Sequence, residues 1–251
     1  MAMTLHILGS SSRGNCYLLR SEMTGEVLIL EAGIHFDTVK RALGYNLSAV
    51  VGCLVTHEHV DHAGHVRQVL DARIPVYMSY GTMQQCRFNA GALQPQTCQG
   101  GAELMIGGFK VLPFNTKHDA AEPLGFLIRH AECGTVLFAT DTYYLKYRFP
   151  GLNNILLECN YRLDILDANI ASGRVSPAVR NRIIKSHMSY HTCLQTLQAN
   201  DLSAVNNIVL IHLSADNSHA AEFCSGIAKA TGKHTVVAAR DMVLPFGSTP
   251  Y

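Results

Sequence analysis

The segment Thr56-His57-Glu58-His59-Val60-Asp61-His62 places three imidazoles and a carboxylate within six residues. Packing alone does not call for histidines so close together. A borderline divalent cation does, zinc first, with manganese or iron as alternatives. Residues two apart in an extended segment point to the same side, so His57 and His59 can share one cation. Asp61 and His62 lie on the turn into the following helix and can aim at a second, adjacent position. Three further donors stand alone, each directly past an apolar β-type run: His118 after Val111–Phe114, Asp141 after Val136–Ala139 and His212 after Ile208–Ile211. Their recurrence at strand ends is what one site at one edge of a sheet requires. Two adjacent cations would activate water for attack on a phosphorus or an acyl carbon, and Asp61 could orient the hydroxide. The chemistry expected is metal-dependent hydrolysis.

The elements that must position these residues are read from hydrophobic periodicity. Short apolar runs predict strands at Leu5–Leu8, Cys16–Leu19, Val27–Leu30, Gly52–Val55 and Pro75–Met78. Helical spacing predicts helices over Phe36–Leu43, His62–Leu70 and Met83–Phe88. The second half repeats the style, with strands at Phe109–Phe114, Phe126–His130, Val136–Ala139, Ile155–Cys159, Asn207–Ile211 and Thr235–Ala238. Its helices are expected at Leu163–Ala171, at Pro177–Ile184 with Ser176 as cap, from near His191, and at Ala220–Ala230. No Pro- or Ser-rich linker interrupts the pattern, so one domain over residues 1–251 is expected. Periodicity alone supports mixed α and β; strands followed by helices, twice, suggest two facing sheets with helices outside.

The 251 residues are 48% hydrophobic and 16% charged, a globular composition that excludes a disordered low-complexity chain. A net charge of +1 gives no global pull toward nucleic acid or membrane, so an anionic partner must be held by a local patch. The eight cysteines are scattered with no CxxC, which excludes a zinc ribbon or a thioredoxin motif. Met1–Ser10 is short, has no basic n-region and runs directly into a Ser/Gly loop, so no signal peptide is expected, and no apolar run is long enough to span a bilayer. A reducing, cytoplasmic setting is expected, with no membrane partner.

These residues resemble the metallo-β-lactamase superfamily, whose members carry H-x-H-x-D-H followed by a later His, Asp and His. More narrowly, the chain is similar to the bacterial YycJ/WalJ-type branch of exonuclease-like hydrolases. The segments that carry this are Gly9-Ser10-Ser11-Ser12-Arg13-Gly14-Asn15-Cys16-Tyr17, His118-Asp119-Ala120, Glu122–Phe126, Ala139-Thr140-Asp141-Thr142, Leu157-Glu158-Cys159-Asn160, His187-Met188-Ser189 and His212–Asn217. The resemblance implies a four-layer αββα sandwich with two divalent metal ions at one edge. One ion would take His57, His59 and His118, the other Asp61, His62 and His212, with Asp141 bridging. About seventy positions separate Asp141 from His212, too few for the extra domain of β-CASP nucleases. Two positions depart from the branch pattern: Tyr161-Arg162 follows Asn160 where His-Asp is frequent, and Tyr190 follows Ser189 where a small polar residue is common.

A group must also protonate the leaving oxygen, and His187 and then His191 are the candidates. Ser11, Ser12, Arg13 and Asn15 form a loop that can seat a phosphate, although a tight hairpin turn has the same composition. Asn160 and Ser189 are expected beside the substrate. Arg174, Arg180, Arg182 and Lys185 could track a phosphate backbone or simply face solvent. His65, one helical turn past His62, is not read as a ligand because the site is already full, and His6, His35, His130, His219 and His234 carry no spacing signal and are read as ordinary. The expected partner is a phosphodiester, DNA in the first instance. A small-molecule acyl hydrolase (thioesterase or lactonase) and a non-catalytic metal-binding regulator are the alternatives.

Overall fold

A computed structural model describes residues 3–88 and 93–249. The first half runs β1 (Thr4–Gly9), β2 (Cys16–Arg20), β3 (Val27–Leu30), α1 (Phe36–Ala42), β4 (Val50–Leu54), α2 (Val60–Ala63), α3 (Val66–Asp71), β5 (Val76–Met78), α4 (Tyr80–Cys86) and β6 (Gln96–Thr97). Then follow β7 (Leu104–Ile106), β8 (Phe109–Asn115), β9 (Leu124–His130), β10 (Gly134–Ala139), β11 (Leu152–Glu158), α5 (Leu163–Ala171), α6 (Pro177–Ser186) and α7 (Tyr190–Gln198). The chain closes with β12 (Asn207–Ile211), α8 (Ala220–Thr231), β13 (His234–Val237) and β14 (Met242–Pro245).

Two sheets result, in the orders β14-β1-β2-β3-β4-β5-β6 and β13-β12-β11-β10-β9-β8-β7. The layering follows from the two-residue side-chain period of strands. Leu5, Ile7, Tyr17, Leu19, Leu28, Leu30 and Leu54 point inward from the first sheet and meet Phe126, Ile128, Val136, Phe138, Leu156, Val209 and Ile211 of the second. The alternate residues point outward. Leu18, Val27, Ile29, Cys53 and Val55 pack under Phe36, Val39, Val66 and Val69 of α1 and α3. Leu137, Ala139, Ile155, Leu157, Ile208 and Leu210 pack under Cys193, Leu197, Phe223 and Ile227 of α7 and α8. Helix, sheet, sheet, helix is the αββα sandwich expected from the sequence.

Each strand read from an apolar run is present. The short strands β6, β7 and β14 were not legible as such, since two to four residues carry too little period. The expected helix His62–Leu70 is broken into α2 and α3 at Gly64-His65. Tertiary bonding overrides the local pattern here: the carbonyls of Asp61 and His62 accept from the N–H groups of Asn15 and Ala32, and His65 N–H donates to Ala32 O. Asp61 and His62 therefore sit within a four-residue helix rather than on a turn. Among the described residues no helix is long and apolar enough to cross a membrane, and all eight cysteines are free.

Candidate metal centre and its cleft

Strand direction brings the separated donors to one edge. In the first sheet β3, β4 and β5 run parallel, and in the second β10, β11 and β12 do. β8 pairs antiparallel with β9, which pairs antiparallel with β10, so β8 ends on the same side as β10. Glu31 follows β3, His57 follows β4, His118 follows β8, Asp141 follows β10, Glu158 ends β11 and His212 follows β12. Glu31, Asp141 and His212 adopt left-handed backbone, with φ of 68°, 47° and 54°. Such conformations are uncommon outside glycine and persist where the surroundings over-determine them.

His57, His59, His118 and Asp141 form one convergent group of donor atoms. Hydrogen bonding fixes which imidazole nitrogens face it. Thr56 Oγ1 donates to Glu31 Oε1 at 2.6 Å, so it must accept from His57 Nδ1–H at 2.9 Å. That leaves His57 Nε2 as a lone pair, buried and without a hydrogen-bond partner among the described residues, 3.8 Å from Asp141 Oδ2. His118 Nδ1 donates to Ser186 O at 2.7 Å, which turns its Nε2 lone pair toward Asp141 Oδ2 at 3.4 Å and His59 Nδ1 at 3.2 Å. Acceptors aimed at one another in a buried pocket are satisfied by a cation between them, so the residues fit a metal ion.

Asp61, His62 and His212 form a second group. Asp61 Oδ2 lies 3.4 Å from His62 Nε2 and 3.3 Å from His212 Nε2. Asp141 joins the two groups. Its Oδ2 faces His57 and His118, while its Oδ1 lies 3.3 Å from His62 Nε2 and 3.4 Å from His212 Nδ1. Beneath, Glu31 Oε1 sits 3.3 Å from His62 Nδ1 as a charge contact rather than a hydrogen bond.

A third overlap involves Glu158, His187 and His212 with Asp141. The Glu158 carboxylate is fully buried and accepts from the N–H groups of Thr142 and Met188 and from His187 Nδ1 at 2.7 Å. Burial opposes charge throughout the cluster, yet pairing prevails for most groups. Asp141 is held below the carboxylate range by His212 and His62, and Glu158 by His187. His212 is pushed up to about 10 against its burial by Asp141 and Asp61. His57 and His118 go the other way, because burial dominates there.

A cleft of about 300 Å³ opens over the cluster, lined by Ser12, His59, Asp61, Asp141, Asn160, Arg182, His187, His212 and Ser214, with Val179 and Ile183 of α6 beside them. Ser12 and Asn160, expected as substrate contacts, line it, and so does His187, expected as the proton donor. Others do not. Asn15 is fully buried, donating to Ser11 O and Asp61 O and lying 3.2 Å from His62 Nε2, so it supports a ligand and does not reach the cleft. Ser189 caps α7, its hydroxyl accepting from Thr192 N–H. His191 is exposed on the first turn of α7, and among the described residues nothing ties it to the cluster. Ser11 and Arg13 face away from the cleft. Of the basic group, Arg182 lines the cleft while Arg180 pairs with Asp167.

The two departures from the branch pattern meet each other. Tyr161 forms a backbone bridge with Ser189, and Tyr190 N–H donates to Tyr161 O at 2.7 Å. Tyr190 then packs against Phe223, and Arg162 pairs with Asp164 and Glu222, which ties α5, α7 and α8 together. Sequence reading missed Glu31, Thr56 and Glu158 as parts of the centre. A lone acid or hydroxyl at a strand end has no spacing signal; only its position directly past an apolar run could have flagged it.

Comparison with known proteins agrees with the motifs. The family model described as "Beta-lactamase superfamily domain" matches residues 32–213. The chain is 27% identical over 233 residues to Exodeoxyribonuclease YycJ of Bacillus anthracis, spanning 87% of this chain and 85% of that protein. Its fold matches the metallo-beta-lactamase fold protein YhfI from Bacillus subtilis with a TM-score of 0.74 at 15% identity, over 97% of this chain and 100% of that one. Unliganded yeast PDE1 matches with a TM-score of 0.70 at 11% identity, over 97% and 99%. Identities this low speak for the fold alone.

Proposed function

The chain belongs to the beta-lactamase superfamily and is a metal-dependent hydrolase, and from that premise we propose that it is a dinuclear phosphodiesterase acting on a nucleic-acid strand, DNA first. The observation that carries the reading is Asp141, whose two oxygens divide between two complete donor groups. His57, His59 and His118 would hold one ion, Asp61, His62 and His212 the other, with Asp141 shared. Such ions would supply Lewis-acid activation of water and of a phosphoryl oxygen, and imidazole with carboxylate suits zinc, then manganese or iron. The printed name of the Bacillus anthracis relative supports DNA as the strand.

The chain's own groups do the rest. Arg182, Ser12 and Ser214 offer a guanidinium and two hydroxyls to phosphate oxygens at the cleft mouth. Asp61 orients the attacking water. His187, held through Nδ1 by Glu158, keeps Nε2 for the cleft and donates a proton to the leaving oxygen. Asn160 donates to His212 O at 2.8 Å and steadies that ligand.

The test is an assay panel on protein loaded with zinc or manganese: bis-p-nitrophenyl phosphate, single- and double-stranded DNA, nitrocefin, S-lactoylglutathione and a lactone. Phosphodiester cleavage that disappears in Asp141→Ala is the expected result. Turnover of acyl substrates alone would overturn the reading in favour of a thioesterase or lactonase. Bound metal without turnover of any substrate would make the chain a regulator.

A further inference from the structure

The loop 10–14 separates two cavities. Ser12 faces the cleft over the metal centre, whereas Ser11 and Arg13 line a second cavity of about 500 Å³ on the other side. Four stretches distant in sequence build it: the loop after β1, His35 and Thr38 at the start of α1, His65 between α2 and α3, and Arg240 between β13 and β14. No aspartate or glutamate lines it among the described residues. The rings of His35 and His65 meet edge-on at 5.4 Å. Nearby acids are engaged at the margin. Asp37 pairs with Lys40 at 2.9 Å and reaches His35 Nδ1 at 3.6 Å, and Asp241 lies 3.8 Å from Arg240 Nε with both side chains about 70% exposed. A pair that exposed is weak and leaves the guanidinium available.

Two guanidiniums, two imidazoles and the three hydroxyls of Ser10, Ser11 and Thr38 around one cavity are the donor types that recognise phosphate. We propose that this cavity is a phosphate subsite holding a second phosphate of the substrate strand, across the loop from the phosphodiester that lies over the metal centre. The assignment rests on the phosphodiesterase reading and deepens it. Because both cavities share the loop 10–14 as a wall, a strand crossing that wall puts phosphates on its two sides.

Inorganic phosphate titrated into the zinc-loaded chain, followed through the imidazole Cε1–H NMR signals of His35 and His65, tests the site without turnover. Saturable shifts are expected in the wild type and in Asp141→Ala, with loss of the shifts in the double variant Arg13→Gln, Arg240→Gln. Both arginines are exposed, so folding is not at stake. Signals that ignore phosphate, or that shift equally in the double variant, overturn the subsite. With oligonucleotides, the double variant should lose about tenfold of the kcat/KM advantage that single-stranded DNA holds over bis-p-nitrophenyl phosphate. An unchanged ratio overturns the proposal. Comparing DNA with a 5′-phosphate, a 3′-phosphate or neither separates the sources: loss confined to one phosphorylated end assigns an end group, and equal loss assigns an internal phosphodiester. Phosphate shifts without any phosphodiester turnover would defeat the functional reading and spare the anion site. Turnover without shifts would do the reverse.

Discussion

Thr56 sets the tautomer of His57, because its hydroxyl donates to Glu31 and can only accept from the imidazole. Replacing it with valine keeps the shape and removes that instruction. Thr56→Val should therefore weaken metal binding by about 10–100-fold, read by chelator competition, as is usual when a ligand's outer partner is lost. An unchanged affinity would mean that His57 chooses its tautomer without help. The donors themselves were legible, since H-x-H-x-D-H declares itself by spacing. Thr56, Glu31 and Glu158 were not, because their work depends on what lies across the sheet edge. Asn15 was misplaced for the same reason: a polar loop residue looks like a substrate contact until the chain folds it beneath His62.

The elements hold the donors through backbone contacts that tolerate little change. A Cβ on Gly33 would lie 1.7 Å from Asp61 O, where Asn15 N–H also donates. Gly33→Ala must push α2 away and should abolish binding at the Asp61–His62–His212 group, seen as a fall in metal stoichiometry by mass spectrometry. Far from the centre, Glu132 after β9 joins the two sheets by accepting from Ser21 Oγ and Glu22 N–H. Burial raises its pKa, but these hydrogen bonds win and hold it below its ordinary 4.5. A lowered folded pKa stabilises the protein above 4.5 and loses that contribution as pH falls through the folded value. Glu132→Gln should lower the unfolding midpoint at neutral pH, and the gap from wild type should close on acidification. A gap independent of pH would point to packing instead. At this scale the strands were legible from period two, whereas the break between α2 and α3 was not, since the bonds that cause it come from Asn15 and Ala32.

Across the whole molecule, both sheets feed one centre: His57, His59, Asp61 and His62 follow β4, while His118, Asp141 and His212 come from the second sheet. Metal bound there stabilises the packing of the two sheets together. At free metal a thousandfold above Kd, the bound ion adds about 4 kcal/mol, so chelation should lower Tm by several degrees, measured calorimetrically. A Tm indifferent to chelator would mean that the folded donors do not bind the ion, or bind it no better than the unfolded chain does. The donor types, their placement directly past apolar runs, the alternation that makes two-faced strands and the family resemblance can all be read along the chain. Those features are local: spacing, period and residue chemistry within about ten positions. How Asp141 divides its oxygens, which tautomers face inward, and the separation of Ser12 and Arg13 into different cavities emerge only once the chain is folded. Asp61 meets His212 across 151 positions, and Ser10 meets it across 202. Contacts that long are fixed by strand order and direction, which no local period encodes.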